Sequence, residues 1–523
     1  MPAIQYQKRG GGFGMVTEGE GTKKLDYKRL VGLVLGPLLF VLLVLLPPLR
    51  DPVTGNLMNQ TAPWAPNAAL GLMLWTIVWW LFEAMPFGVT SLTTAVVACA
   101  MIGLSPKAFG YSTAKSGVSA TLETFFNPLI WVFFGGFVLG WGMLKSGVAE
   151  RIARKVTLFS AKISRNAFWT IAGMWFIVWF LSMWMSNTAA TAVLFPVLLG
   201  ILASSPWIND RQAAIAMIFL AYAASIGGIA TVIGTPPNLI ATAFLSQQGI
   251  ADIGFVGWLR YGVPVSVVSF IILLIVGKVF FGKAELNLEA VKKAWEEKSI
   301  GPMSPEEKWF SVVFGITVFL WIFRGVAKAV GWKIVTQLIP HDAIPAILCA
   351  ILLFGVPRSL RPYRPFFNWK EGVSAMDWDT LFLFAGGLIM GNMLFKSGAG
   401  LWLGKKFVAA GGGSPFLVAL AATAITWLIT QFASNTASTN MMVPIVISIC
   451  KAAGFSPHAT IGAVVMPAIA ASLAFLLPVS TPPNAIVFGS GKIKISDMLR
   501  YGLLMSVLTV PVSILILKLT TGL

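Results

Sequence analysis

Five short signatures occur twice in this sequence, in the same order, and they constrain its fold more than any other feature. The first half carries Phe134-Gly135-Gly136, Met143-Leu144-Lys145-Ser146-Gly147, Ser186-Asn187-Thr188, Thr235-Pro236-Pro237-Asn238 and Leu259-Arg260-Tyr261-Gly262. The second half carries Ala385-Gly386-Gly387, Leu394-Phe395-Lys396-Ser397-Gly398, Ser434-Asn435-Thr436, Thr481-Pro482-Pro483-Asn484 and Leu499-Arg500-Tyr501-Gly502. Subtracting the positions gives offsets of 251, 251, 248, 246 and 240 residues. Five ordered matches at a nearly constant offset mark an internal duplication, so the two copies should build one architecture twice.

The residues between the signatures are mostly apolar. Of 523 residues, 57% are hydrophobic and 11% are charged, against roughly 45–50% and 25% in a soluble domain. A membrane-crossing helix needs about 20 apolar residues. Single spans read as Leu30–Leu49, Ala68–Met85, Gly88–Leu104, Leu122–Leu144, Trp258–Val276, Trp309–Phe323, Val335–Val356, Leu381–Phe395 and Met498–Leu517. The expected class is an all-α polytopic membrane protein. This excludes a soluble enzyme, a disordered chain and a nucleic-acid partner. The net charge of +18 comes from cations lying between the apolar runs, where they set orientation. Cys99, Cys349 and Cys450 sit inside apolar runs at no metal-ligand spacing and read as small core residues.

Four stretches do not fit one span. Residues 168–202 and 416–450 are too long and are interrupted by Ser-Asn-Thr; residues 213–244 and 460–488 are interrupted by Thr-Pro-Pro-Asn. Charge decides how the first pair runs. If the 1–29 tail, with Lys8, Arg9, Lys23, Lys24, Lys28 and Arg29, is cytoplasmic, the Arg151, Arg154, Lys155, Lys162, Arg165 loop also falls inside. The Lys-rich 278–308 linker and the Arg358, Arg361, Arg364 loop join it only if 168–202 dips in and returns. Each repeat then crosses an odd number of times. The expected architecture is an inverted repeat with about 11 transmembrane helices, nine single and two broken, plus two re-entrant hairpins. Residues 30–277 hold the first helix and repeat one, residues 309–523 hold repeat two, and the C-terminus is outside.

Paired prolines cannot continue a helix and push the preceding Thr into an extended conformation. Broken backbone at membrane depth is tolerated only where it is buried in protein or lines a cavity. Its free carbonyls can hold a cation and its free amides an anion. The hydroxyls and amide of Ser-Asn-Thr suit the same ligands. Ser182 and Thr430 lie four residues earlier, one turn back on the same face. Neither motif region contains Lys or Arg, so a bound dianion would need helix termini and co-transported cations. Duplicated broken helices of this kind are a design of secondary transporters.

This arrangement resembles the divalent anion/sodium symporter family, the INDY-type transporters. The likeness runs from about Leu30 to the C-terminus and includes Glu83-Ala84-Met85-Pro86 and Asn484-Ala485-Ile486-Val487-Phe488-Gly489-Ser490-Gly491-Lys492. In length and linker the chain is most similar to bacterial sodium/C4-dicarboxylate symporters. The resemblance implies a scaffold domain that forms a homodimer and a transport domain that moves as an elevator. It implies one Na⁺ at Ser182, Ser186, Asn187 and Gly234, and a second at Thr430, Ala433, Asn435 and Ser480, several through backbone oxygens. The dicarboxylate would meet Asn187, Thr188, Thr235, Asn435, Thr436 and Thr481.

The expected function is import of succinate, malate or fumarate with more than one Na⁺ across the bacterial inner membrane. A sodium-independent exchanger of the same fold is the alternative. An intramembrane enzyme lacks a nucleophile–base pair or an HExxH motif in the apolar runs, and inverted hairpins argue against a continuous pore. Glu83 beside Pro86 reads as a structural contact, with proton coupling the lesser reading.

Overall fold

The computed structural model describes residues 26–163, 166–205, 207–285, 291, 292, 295 and 301–523. Nearly all of the expected tail and the middle of the expected 278–308 linker lie outside the described residues. What is described is almost wholly helical, with one small antiparallel pair of strands, Pro357–Leu360 and Tyr363–Pro365. Among the described residues, nine helical stretches are long and apolar enough to cross a membrane. The most deeply buried is Asp210–Gly228, whereas Tyr27–Leu45 buries only Gly32 and Gly36. Both are apolar, so burial against protein, not hydropathy, separates the centre of the molecule from its rim.

The duplicated motifs build what their chemistry demands. The first hairpin consists of Ala167–Ser182 and Asn187–Ala203, and the second of Pro415–Thr430 and Asn435–Ala452. The first broken segment is Asp210–Gly228 followed by Pro236–Gln247; the second is Pro457–Ala471 followed by Pro482–Phe488. Thr235 and Thr481 are extended, at φ −150° and −145°, as the residue before proline must be. The prolines open the second half-helix and do not close the first, because a proline at the first helical positions sacrifices no hydrogen bond. The packing is reciprocal. Pro236–Gln247 lies against Asn435–Ala452 and Pro457–Ala471, and Pro482–Phe488 lies against Asn187–Ala203 and Asp210–Gly228. Each break is therefore enclosed by elements of both halves.

Three expected segments differ. Val335–Val356 is not one span but Lys333–Leu338 and Ala343–Gly355. The buried Arg324 guanidinium draws out the connecting turn: Nε donates to Ile339 O (3.0 Å), Nη2 to Pro340 O (2.8 Å) and Nη1 to Asp342 Oδ1 (3.0 Å). The Leu122–Leu144 span starts at Pro128, where the Asn127 side chain accepts from Leu129 N (2.9 Å) and caps Pro128–Ser146. The expected 151–165 loop is largely a helix, Val148–Ile163. It is strongly amphipathic, and its Arg151 forms a bidentate pair with Glu307 at 2.6 and 2.7 Å.

Candidate functional site

Each hairpin folds its two arms so that a hydroxyl ending the first meets the asparagine opening the second. The Ser182 hydroxyl donates to Asn187 Oδ1 at 2.7 Å, and the Thr430 hydroxyl donates to Asn435 Oδ1 at 2.7 Å. Thr430 Oγ1 also lies 2.8 Å from Ala471 O, the last helical residue before the second break. Sequence spacing paired these residues for the wrong reason. Ser182 and Asn187 are not stacked on one helix; the helix ends at Ser182 and the contact crosses the hairpin tip.

The first break closes on this pair. A Cβ built on Gly234 would stand 2.5 Å from Gly228 O and 3.0 Å from Ser182 O. One built on Gly228 would stand 2.4 Å from Asn187 Oδ1 and 3.1 Å from Gly234 O. Oxygen atoms from the hairpin tip and the break thus converge on a space that admits no side chain. Of the expected first set, Ser182, Asn187 and Gly234 are brought together. Ser186 is exposed, and its hydroxyl accepts from Ala189 N at 3.2 Å as the cap of the second arm. Gly228 was missed by motif reading. Its signal is the Gly227-Gly228 pair, seven residues before Thr235, where the first half-helix has to stop.

The second break has the same outline with different straps. The Ser480 hydroxyl donates to Gln431 O at 2.7 Å, while the Gln431 side chain accepts from Leu476 N at 3.0 Å and donates to Trp427 O at 2.9 Å. In the first half the carbonyl at the matching hairpin position, Met183, accepts instead from the Thr231 hydroxyl. Thr430, Asn435 and Ser480 are brought to this break, and Ala433 is buried just before Ser434. Thr235 and Thr481 begin the second half-helices, both 3% exposed. Thr481 Oγ1 accepts from Asn484 N at 3.3 Å. The hydroxyls of Thr188, Thr235 and Thr436 have no protein partner among the described residues. No charged side chain occurs in 182–188, 228–238, 430–436 or 471–484. A ligand there faces neutral oxygens, hydroxyls, amides and the amino ends of half-helices.

The tip of the first hairpin also touches outlying helices. Trp184 packs edge-on against Phe314 (5.2 Å) and stacks near Phe255 (6.3 Å). Phe255 begins a long helix, Phe255–Phe281, whose N-terminus is capped from another element: Phe255 N donates to Asp342 Oδ2 at 2.7 Å. Sequence reading overlooked this Arg324–Asp342 pair because Arg324 follows one apolar run and Asp342 lies inside another, Val335–Val356. Nearby Asp252 faces Lys328 at 2.5 Å. Burial would raise its carboxyl, but the bond and charge of Lys328 and the charge of Arg324 hold it below the ordinary value. Glu83 sits at the C-terminal end of Ala65–Phe82 in a left-handed conformation (φ 50°), half exposed and 3.5 Å from Lys28. That is the structural contact expected of it.

A helical membrane body organised around two matched backbone breaks has the architecture of a secondary transporter. The chain belongs to the sodium:sulfate symporter family: it matches that family's transmembrane region over residues 33–521. It is therefore a member of a transporter family and not an enzyme. It is 34% identical over 454 residues to an uncharacterized transporter of Haemophilus influenzae, covering 85% of this chain and 90% of that protein. It is 31% identical over 510 residues to the sodium-dependent dicarboxylate transporter SdcS of Staphylococcus aureus, covering 94% and 91%. The fold is similar to the crystal structure of the Alcanivorax borkumensis YdaH transporter, with a TM-score of 0.55 and 15% identity over 95% of this chain and 98% of that one.

Proposed function

We propose that this protein is a symporter that imports C4-dicarboxylates such as succinate, malate and fumarate together with more than one Na⁺. The observation that carries the reading is the pair of uncharged oxygen cradles, Ser182–Asn187 against Gly228 and Gly234, and Thr430–Asn435 against Ala471. Na⁺ is a hard cation suited to such oxygens. In this reading Ser182, Ser186, Asn187 and Gly234 serve one ion, and Thr430, Ala433, Asn435 and Ser480 serve the other. The unpartnered hydroxyls of Thr188, Thr235 and Thr436, with Thr481, Asn187 and Asn435, serve the carboxylates. A dianion entering a site without Lys or Arg is helped by a sodium charge beside it, which makes coupling physically sensible. The relationship to SdcS supports both the substrate class and the ion.

The protein works in the inner membrane as a homodimer with a cytoplasmic N-terminus and an external C-terminus. The hairpins and broken segments move as an elevator against the remaining helices. The test is initial succinate uptake into proteoliposomes against sodium concentration and pH. Uptake should rise steeply with sodium, resist butyrate, which fills only one end of the site, and fall as succinate takes up its second-site proton. Asn187→Ala and Asn435→Ala should nearly abolish it. Indifference to sodium would favour the exchanger, and uptake driven by a proton gradient would return attention to Glu83.

A further inference from the structure

The last residue of Thr-Pro-Pro-Asn has no part in the reading above, yet both copies make the same contacts. Asn238 Nδ2 donates to Gly228 O (2.9 Å) and Thr231 O (2.7 Å), ten and seven residues back. Asn484 Nδ2 donates to Ala474 O (3.2 Å) and Leu477 O (3.1 Å), again ten and seven residues back. Both side chains are 0% exposed, and in both the amide oxygen has no partner. Buried polar atoms are almost always paired, and these two orphans fall at equivalent positions of the two copies. Each asparagine is the third residue of its half-helix, where side chains lean back toward the N-terminus. A carboxylate would suit that position better for the helix dipole, but it could not donate to two carbonyls. The two N–H groups are what the position uses.

The bonds also lead to the hairpins. The Thr231 carbonyl is held by Asn238, while its hydroxyl donates to Met183 O, next to Ser182. The Leu477 carbonyl is held by Asn484, while its amide donates to Ser480 Oγ at 3.2 Å, and that hydroxyl donates to Gln431 O, next to Thr430. Gly228, whose carbonyl Asn238 holds, abuts Asn187 Oδ1.

We propose that Asn238 and Asn484 are positioning residues, each setting the unwound carbonyls and hairpin tip of one sodium cradle without touching the ion. This rests on the sodium reading above. Asn238→Leu and Asn484→Leu keep the branched shape and the number of side-chain heavy atoms, remove the donors and remove the orphan acceptor, so the unwound carbonyls lose their tether and the cradle loosens. The test uses full-length protein, purified for sodium-dependent thermal shifts and reconstituted for succinate uptake. Each variant should need at least about tenfold more sodium for half-saturation, from lost contacts to a charged ligand. The steepness of the sodium response should fall toward one ion, while the succinate KM at saturating sodium stays within about threefold. Wild-type sodium dependence in both variants overturns the inference, as does equal damage to sodium and succinate affinity. Where a leucine variant fails to fold, Asn238→Ala and Asn484→Ala, which remove the donors without adding bulk, decide by the same criteria. A wild type indifferent to sodium refutes the sodium reading and this inference with it; a responsive wild type whose variants keep the wild-type sodium response refutes this inference alone.

Discussion

Gly228→Ala is the sharpest probe of the first cradle. The added methyl would fall 2.4 Å from Asn187 Oδ1, well inside contact distance, and 3.1 Å from Gly234 O. The first neighbour is the far end of a rotatable side chain, so the clash can be relieved by turning the Asn187 amide away. That movement breaks the 2.7 Å bond from Ser182, a loss of about 1 kcal/mol for a neutral pair. Folding should survive it. A cation that relies on the displaced oxygen loses a charge-assisted contact worth about 1.5–3 kcal/mol, or roughly 10- to 150-fold in affinity. The neighbouring Gly227→Ala gives the contrast. Its methyl would meet the Trp179 backbone oxygen at 2.1 Å and the carbonyl carbon at 2.8 Å, and backbone cannot turn aside. Gly227→Ala should therefore lower thermal stability, whereas Gly228→Ala should raise the sodium needed for half-maximal uptake in proteoliposomes at nearly normal stability. Half-saturating sodium within about twofold of wild type in Gly228→Ala would show that the cradle is not the sodium site.

Three further outcomes are expected. Cysteine placed at Lys283 in the linker should react with an impermeant reagent only from the cytoplasmic side; reaction solely from outside would remove the re-entrant hairpin. Asp342→Ala strands Arg324, 5% exposed, and uncaps Phe255, so it should cost about 3–5 kcal/mol, read as a lower melting temperature; Asp342→Asn, which keeps an acceptor, should cost less, and an unchanged melting temperature in the alanine variant contradicts the role of the pair. Ser480→Gly should weaken the sodium response by about fivefold, near 1 kcal/mol, and adding Leu477→Thr, which copies Thr231, should restore it; a double variant no better than the single one denies the exchange.

The motifs exposed most of the fold because their physics is local. A diproline inside an apolar run cannot continue a helix, and the positions of Pro236 and Pro482 located both breaks. Ser-Asn-Thr located both hairpin tips because three small polar residues interrupt an apolar run there; Ser186 caps the second arm of the first hairpin with its side chain, whereas Ser434 does not cap that of the second. What stayed hidden depends on partners distant in sequence. No local pattern shows that Arg324 reaches across to Ile339 and Pro340 and divides an apolar run in two. Nor does the sequence around Asp342 show that it caps a helix beginning 87 residues earlier. Ser182 and Thr430 were found through a helical spacing that does not exist in the structure, because a residue just before a tight hairpin also returns close to one just after it. Gly228 was legible only in retrospect, since glycines are plentiful in membrane helices and close approach cannot be told from composition.

The two halves kept a bond and let its donor move. The hairpin carbonyl at Met183 is held by Thr231, and its counterpart at Gln431 is held by Ser480. By the offset of 246 that aligns the prolines, Thr231 matches Leu477 and Ser480 matches Gly234. The hydroxyl has shifted by three residues within the break, yet it reaches the same carbonyl. The requirement preserved by both copies is therefore a geometry, the tip carbonyl tied to the unwound strand, and not a residue at a position. The consequence differs between halves. With glycine at 234 the first cradle takes its side-chain oxygens from Ser182 and Asn187 of the hairpin and from Thr231 of the break. With serine at 480 and the buried Gln431 bracing Leu476, the second cradle is fastened by side chains on both walls. Each tip is thus strapped to its break by one hydroxyl, and the second carries the further brace of Gln431 on Leu476. Two sites of common ancestry can thus differ in how they are fastened while offering nearly the same oxygens.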